Sequence, residues 1–173
     1  MSNYGSLLEK EGRSVLVFER IYPLSSKNVF HYITDPHYFT QWYPFATEDM
    51  DLSVGGKIKF DDGEGSTYEA VITEFIPPHS FCFREVDDLL EISLDEVDQG
   101  CTLTFSHTFD DRAMAIYTAA GWHRCLDVLG QLIHGRKIEW EDNALELREY
   151  YKIKFCLVNL HICNRLSISN GFL

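Results

Sequence analysis

Two ionisable residues stand where strand periodicity turns them toward an apolar interior. In GCTLTFSHTF, His107 shares its parity with Cys101, Leu103, Phe105 and Phe109, while Thr102, Thr104, Ser106 and Thr108 take the other face. A neutral imidazole there can bind a ligand oxygen or act as an acid or base, and a core histidine satisfied by a neighbour fits the same pattern. Glu74 alternates with Tyr68, Ala70 and Ile72, which predicts an inward carboxylate near a strand end. A buried Glu needs a partner such as Arg84 or Arg20, and a structural ion pair meets that need as well as catalysis does. Trp42 and Trp122 each offer a large apolar area with one N–H donor, suited to a cavity wall and equally to core packing.

The element that must position these groups is DDRAMAIYTAAGWHRCLDVLGQLIHG. At 100° per residue, Ala115, Ala119, Trp122, Cys125, Leu126, Leu129, Leu132 and Ile133 fall on one stripe, with Arg124, Asp127 and Gln131 opposite. That predicts a long amphipathic helix, from Asp111 to His134, with an Asp at its start and Gly135 as a left-handed C-terminal cap. His123 and His134 fall at the flanks and are expected in solvent. Gly121 in its interior costs about 1 kcal/mol relative to Ala, which points to close packing or a helix break.

Before the helix, SVLVFERIYP alternates as a strand ending at Pro23. LSSKNVFHYITDPHYFTQWYP then reads as two short helices joined at Asp35-Pro36, with Ser25 and Ser26 as cap candidates and Phe39 and Trp42 inward. Five further alternating runs follow, punctuated by Gly55-Gly56, Asp62-Gly63, Pro77-Pro78, Asp87-Asp88 and Gln99-Gly100. With the first strand they predict a six-stranded antiparallel sheet that buries one face against the helix, leaving a cavity where the helix does not fill it.

Composition narrows the function classes. A chain of 173 residues fits one domain with a real core, and a formal charge of −12 argues against nucleic acid and anionic membranes. The five cysteines form no close-spaced pattern, consistent with reduced thiols in a cytoplasmic protein. The N-terminus lacks an apolar signal region, and no apolar run is long enough to span a bilayer. His31 and His37 near Asp35, like Cys156, His161 and Cys163, lack the paired spacing of a structural zinc site, so neither a metal nor another cofactor is expected.

The order of elements, with Thr34-Asp35-Pro36 and Trp42, Gly55-Gly56, Glu74 before Pro77-Pro78, and Ala120-Gly121-Trp122-His123 before Cys125-Leu126, resembles the START-like superfamily. Within it the pattern is most similar to the homologues of the activator of heat-shock protein 90 ATPase, over roughly residues 13 to 155. The resemblance implies an α+β helix-grip fold: a curved six-stranded sheet around a long C-terminal helix, with two short helices plugging one end. It implies one domain over residues 1–155; residues 156–173 form a tail outside the pattern, whose lack of a clear period predicts a segment peripheral to folding or one that dimerises through its apolar residues.

Three functions follow as expectations. The first is a binding module enclosing a small apolar or aromatic molecule, with Trp42, Tyr68, Glu74, Phe105, His107, Trp122 and Leu126 around it. By resemblance alone, the second is a protein-interaction module with a chaperone-like partner. Third comes a cyclase or hydrolase-type enzyme using His107 and Glu74, although no catalytic constellation is recognisable.

Overall fold

The computed structural model describes residues 3–169, with side chains through residue 156. Eight strands form one open antiparallel sheet: β1 (Ser6–Lys10), β2 (Arg13–Tyr22), β3 (Ala46–Met50), β4 (Lys57–Asp61), β5 (Thr67–Ile76), β6 (Ser80–Glu85), β7 (Asp88–Val97) and β8 (Gly100–Phe109). Their spatial order is β1-β2-β8-β7-β6-β5-β4-β3. The expected count of six strands is therefore two short, for a local reason in each case. β1 is almost wholly exposed and lacks a buried alternation; it is held by backbone pairing to β2 across a two-residue turn. Glu11 and Gly12 both have positive φ (54° and 78°), the backbone that a tight hairpin of this hand requires. β3 has the polar sequence ATEDM and lies at the opposite edge, paired to β4 through an irregular register.

Between β2 and β3 the chain crosses the sheet through α1 (Ser26–Thr34) and α2 (Pro36–Trp42). Ser25 caps α1, and Asp35 both ends it and caps α2, its carboxylate accepting from His37 N at 3.0 Å. Pro36 occupies the first turn of α2, where its missing N–H costs nothing. As expected, Phe39 and Trp42 point inward and are fully buried. The Trp42 indole is satisfied by the Tyr32 carbonyl at 3.2 Å.

After a 3-10 turn at Arg112–Met114, α3 (Ala115–Ile133) lies across the concave face. Asp111 accepts from Ala113 N, and Gly135 (φ 63°) closes the far end, where Arg136 N reaches Gln131 O at 2.9 Å. The predicted stripe is buried, except that Leu132 is only partly so. Gly121 neither breaks the helix nor packs closely: the space above it is open.

α3 is not the last helix. A fourth, α4 (Ala144–Ser169), runs past the boundary expected at Phe155 and covers the outer side of α3 with Leu147, Tyr151 and Phe155, all buried. This cover corrects the expectation that His123 is solvated. Its ring is only 7% exposed; Nδ1 lies 2.8 Å from the Tyr151 hydroxyl and Nε2 3.4 Å from Asp127. The same hydroxyl accepts from Gly5 N at 3.0 Å, so one tyrosine ties α4 to α3 and to the start of β1.

These anchors all precede residue 156, which sets a truncation test. A chain stopping after Phe155 is expected to keep its Tm within about 4 °C of the full chain, whereas one stopping after Asn143 or carrying Tyr151→Ala should lose about 3–5 kcal/mol of stability. Equal loss in all three chains would refute the division.

Candidate functional site

The concave interior is filled rather than hollow. Phe39, Trp42, Phe81 and Phe83 interlock as an aromatic core, with ring centroids 5.2 to 6.2 Å apart. An opening of about 670 Å³ lies instead at one end of the grip. The α2–β3 connection (Tyr43, Pro44, Phe45), the β6–β7 turn (Glu85 to Asp88), the end of β8 and the first turns of α3 meet around it. A smaller hollow of about 340 Å³ adjoins it beside Gly121 and Trp140, sharing Pro44, His107, Thr118 and Trp122.

His107 is inward, as strand parity predicts, and 8% exposed. Trp122 Nε1–H donates to its Nδ1 at 2.8 Å, so that nitrogen carries the lone pair. Nε2 therefore carries the proton and donates to Asp88 Oδ2 at 2.9 Å. Both ring nitrogens are engaged, and burial pushes the imidazole below its ordinary value despite the nearby Asp88. The arrangement is a positioning device between helix and sheet, because a proton taken up at Nδ1 breaks the bond to Trp122.

A second cluster surrounds Glu85, which shares strand parity with Phe81 and Phe83. Tyr43 donates its hydroxyl to Glu85 Oε2 at 2.7 Å, and Tyr68 stands beside the same carboxylate. Burial, with Glu85 beside them, raises both phenols well above the ordinary range, so they stay protonated as donors.

Of the candidate ligand-binding residues, the structure brings Tyr68, His107 and Trp122 to the opening. Phe105 backs Trp122 at 4.7 Å from within the core, and Leu126 is buried one turn further along α3. Trp42 is core, 5.5 Å from Phe39, and does not line the opening. Glu74 is a correction. A bulge between Ile72 and Glu74 shifts the β5–β6 register, reverses the parity and puts Glu74 in solvent, bonded to Ser80 rather than to Arg84 or Arg20. Acid and base roles for His107 and Glu74 together lose their geometry.

Sequence reasoning missed Tyr43, Glu85 and Asp88. Parity with Phe81 and Phe83 was the available signal for Glu85, while the tight turn hid Asp88, which pairs with it in register. Among the described residues, no group of three or more His, Cys, Asp and Glu side chains is placed to hold a metal, and no helix is long and apolar enough to cross a membrane.

An antiparallel sheet gripping a long helix, with two short helices at one end and an opening beside them, defines the START-like helix-grip class. The family described as activator of Hsp90 ATPase homolog 1-like protein matches residues 23–134, and the chain belongs to it. Among solved structures, EF2215 from Enterococcus faecalis, a conserved protein of unknown function, has a TM-score of 0.76 at 19% identity, covering 90% of this chain and 91% of that one. CalU16 from Micromonospora echinospora has a TM-score of 0.69 at 19% identity, covering 87% and 93%. These likenesses are of fold. No curated protein sequence gives a significant match.

Two measurements test the geometry. His107 should titrate below its ordinary value with its proton on Nε2, and Trp122→Phe should raise that titration point; histidine nitrogen shifts read both, and an unchanged titration would remove Trp122 as its partner. His123 is depressed to about 4 from an ordinary 6.5, chiefly by burial. A base depressed in the folded state binds fewer protons there than when unfolded, so its contribution is complete above pH 6.5 and is lost as pH falls toward 4. Urea denaturation across that window should show stability falling on acidification, with a flatter slope in His123→Gln.

Proposed function

We propose that the protein is a binding module that takes a small apolar or aromatic molecule into the end opening, with Trp122 as its wall. The observation that carries this reading is the chemistry of the rim. Phe45 and Val86 are 54% and 73% exposed, and both hold left-handed backbones (φ 61° and 56°). Such conformations cost about 1–3 kcal/mol for a residue other than glycine, most acutely for a β-branched one. Two strained apolar residues facing each other's loops at one mouth are poor for stability and suit contact with a ligand. The volume is in the range of small-molecule sites, which are concave and aromatic-lined with few polar groups.

Chemistry on the ligand is disfavoured by the same geometry, since both nitrogens of His107 are occupied and Glu74 is remote. Enclosing about 200 Å² of apolar ligand surface supplies about 5 kcal/mol before association costs, which by itself corresponds to a Kd of about 0.2 mM or weaker. A second reading, contact with a protein partner, is favoured by exposed Met114 beside Phe45 and Val86.

Tryptophan quenching with flavonoids, sterols, fatty acids, aromatic polyketides and arylalkylamines tests the proposal. Binding should quench Trp122 and disappear in Trp122→Ala, whereas Trp42→Ala should change stability alone. Val86→Gly should stabilise the fold and weaken binding. If no compound alters the signal, the opening is not a small-molecule site, and the protein-contact reading takes its place.

A further inference from the structure

The opening has carboxylates around it, and most side-chain donors on its lining are already engaged. Glu85, Asp87, Asp88, Asp110 and Asp111 line it. Arg13 brings a positive charge to the rim but is bonded to Asp110 and to the Asp87 carbonyl at 2.8 Å, and Arg112 on the adjoining turn does not line the opening. Trp122 gives its N–H to His107, His107 gives its N–H to Asp88, and Tyr43 gives its hydroxyl to Glu85, beside which Tyr68 also stands. The hydroxyl of Thr118 donates to the Met114 carbonyl at 2.9 Å.

An anionic ligand would meet repulsion with few side-chain donors to offset it, and a neutral carbonyl compound would gain little from the engaged donors. A ligand that brings its own donors and a positive charge meets the carboxylates of Asp87 and Asp111 on the lining. Its charge also lies beside the rings of Tyr43, Phe45, Tyr68 and Trp122, whose π-electrons attract cations. We propose that the ligand of this site is an organic cation, an ammonium group carried on an aromatic or apolar body. This deepens the binding-module reading and rests on it: the apolar part occupies the aromatic interior and the ammonium stands at the rim.

Three probes of matched shape separate the terms: naphthylethylamine, naphthylethanol and naphthylacetate, titrated calorimetrically into the full chain at low and high salt. The amine should bind about tenfold more tightly than the alcohol, with the margin shrinking as salt rises, and the carboxylate should not bind detectably. Asp87→Asn with Asp111→Asn should weaken the amine by about fivefold and leave the alcohol unchanged, since an Asn at 111 still accepts from Ala113 N–H. A charge-matched pair on exposed positions at the far end of β7, Asp95→Asn with Asp98→Asn, should leave both unchanged. Equal affinity for amine and alcohol, or tighter binding of the carboxylate, would overturn the cation assignment while leaving the binding module standing. Equal loss in both variant pairs would trace the preference to the chain's overall charge and overturn the assignment too. If none of the three binds, both the assignment and the binding module fall.

Discussion

The bond from the Trp122 indole to His107 Nδ1 is the constraint on which the open end of the molecule depends. It joins α3 to β8 at the point where the helix leaves the filled core, 2.8 Å long between two nearly buried rings. A buried indole N–H without an acceptor and a buried imidazole nitrogen without a donor are each costly, so the two groups hold each other in place. The bond also fixes the imidazole's tautomer, which in turn aims Nε2–H at Asp88 and draws the β6–β7 turn toward the helix. The wall of the opening, its rim and the helix start are thereby one connected unit.

A division of labour along α3 follows. Toward its C-terminal half, Leu126, Leu129 and Ile133 pack against the sheet, and the outer side meets α4. Here polar groups serve the fold: Tyr151 links Gly5, His123 and α4 in a buried network, and Arg20 stands 3.6 Å from Asp127. At the N-terminal end Arg148 of α4 lies over the Tyr117 ring, while Gly121 leaves open space beside Trp122. Strained Phe45 and Val86 and the acidic rim are confined to that end. On the proposed reading, stability is concentrated at one end of the grip and recognition at the other, the distribution expected when a binding site is built from loops held by a rigid scaffold.

Much of this was legible from the chain. The α3 stripe, the caps at Ser25 and Gly135, the junction of two helices at Asp35-Pro36 and the inward parity of His107 follow from local sequence, because each depends on residues close together in the chain. β1 and β3 were hidden because edge strands bury little and carry no alternation. Glu74 was misplaced because a single extra residue in β5 reverses a two-residue period, and nothing in TYEAVITEFI marks the bulge. His123 was misjudged because its cover comes from α4, whose contact with α3 is not encoded in the α3 sequence. The rim is a property of the fold: Tyr43, the Glu85–Asp88 turn and Trp122 come from three separate segments and meet only after the sheet has formed.

The central claim is that small molecules enter the end opening and leave the aromatic core untouched. Amide and indole chemical-shift mapping with naphthylethylamine tests it directly. The account predicts that the Trp122 indole and the backbone amides of Phe45, Val86, Asp87 and Thr118 shift together with one saturation curve, while the Trp42 indole, bonded to the Tyr32 carbonyl inside the core, stays fixed. Saturable shifts centred on Trp42, Phe39 and Phe81, or on a surface remote from Trp122, would contradict it.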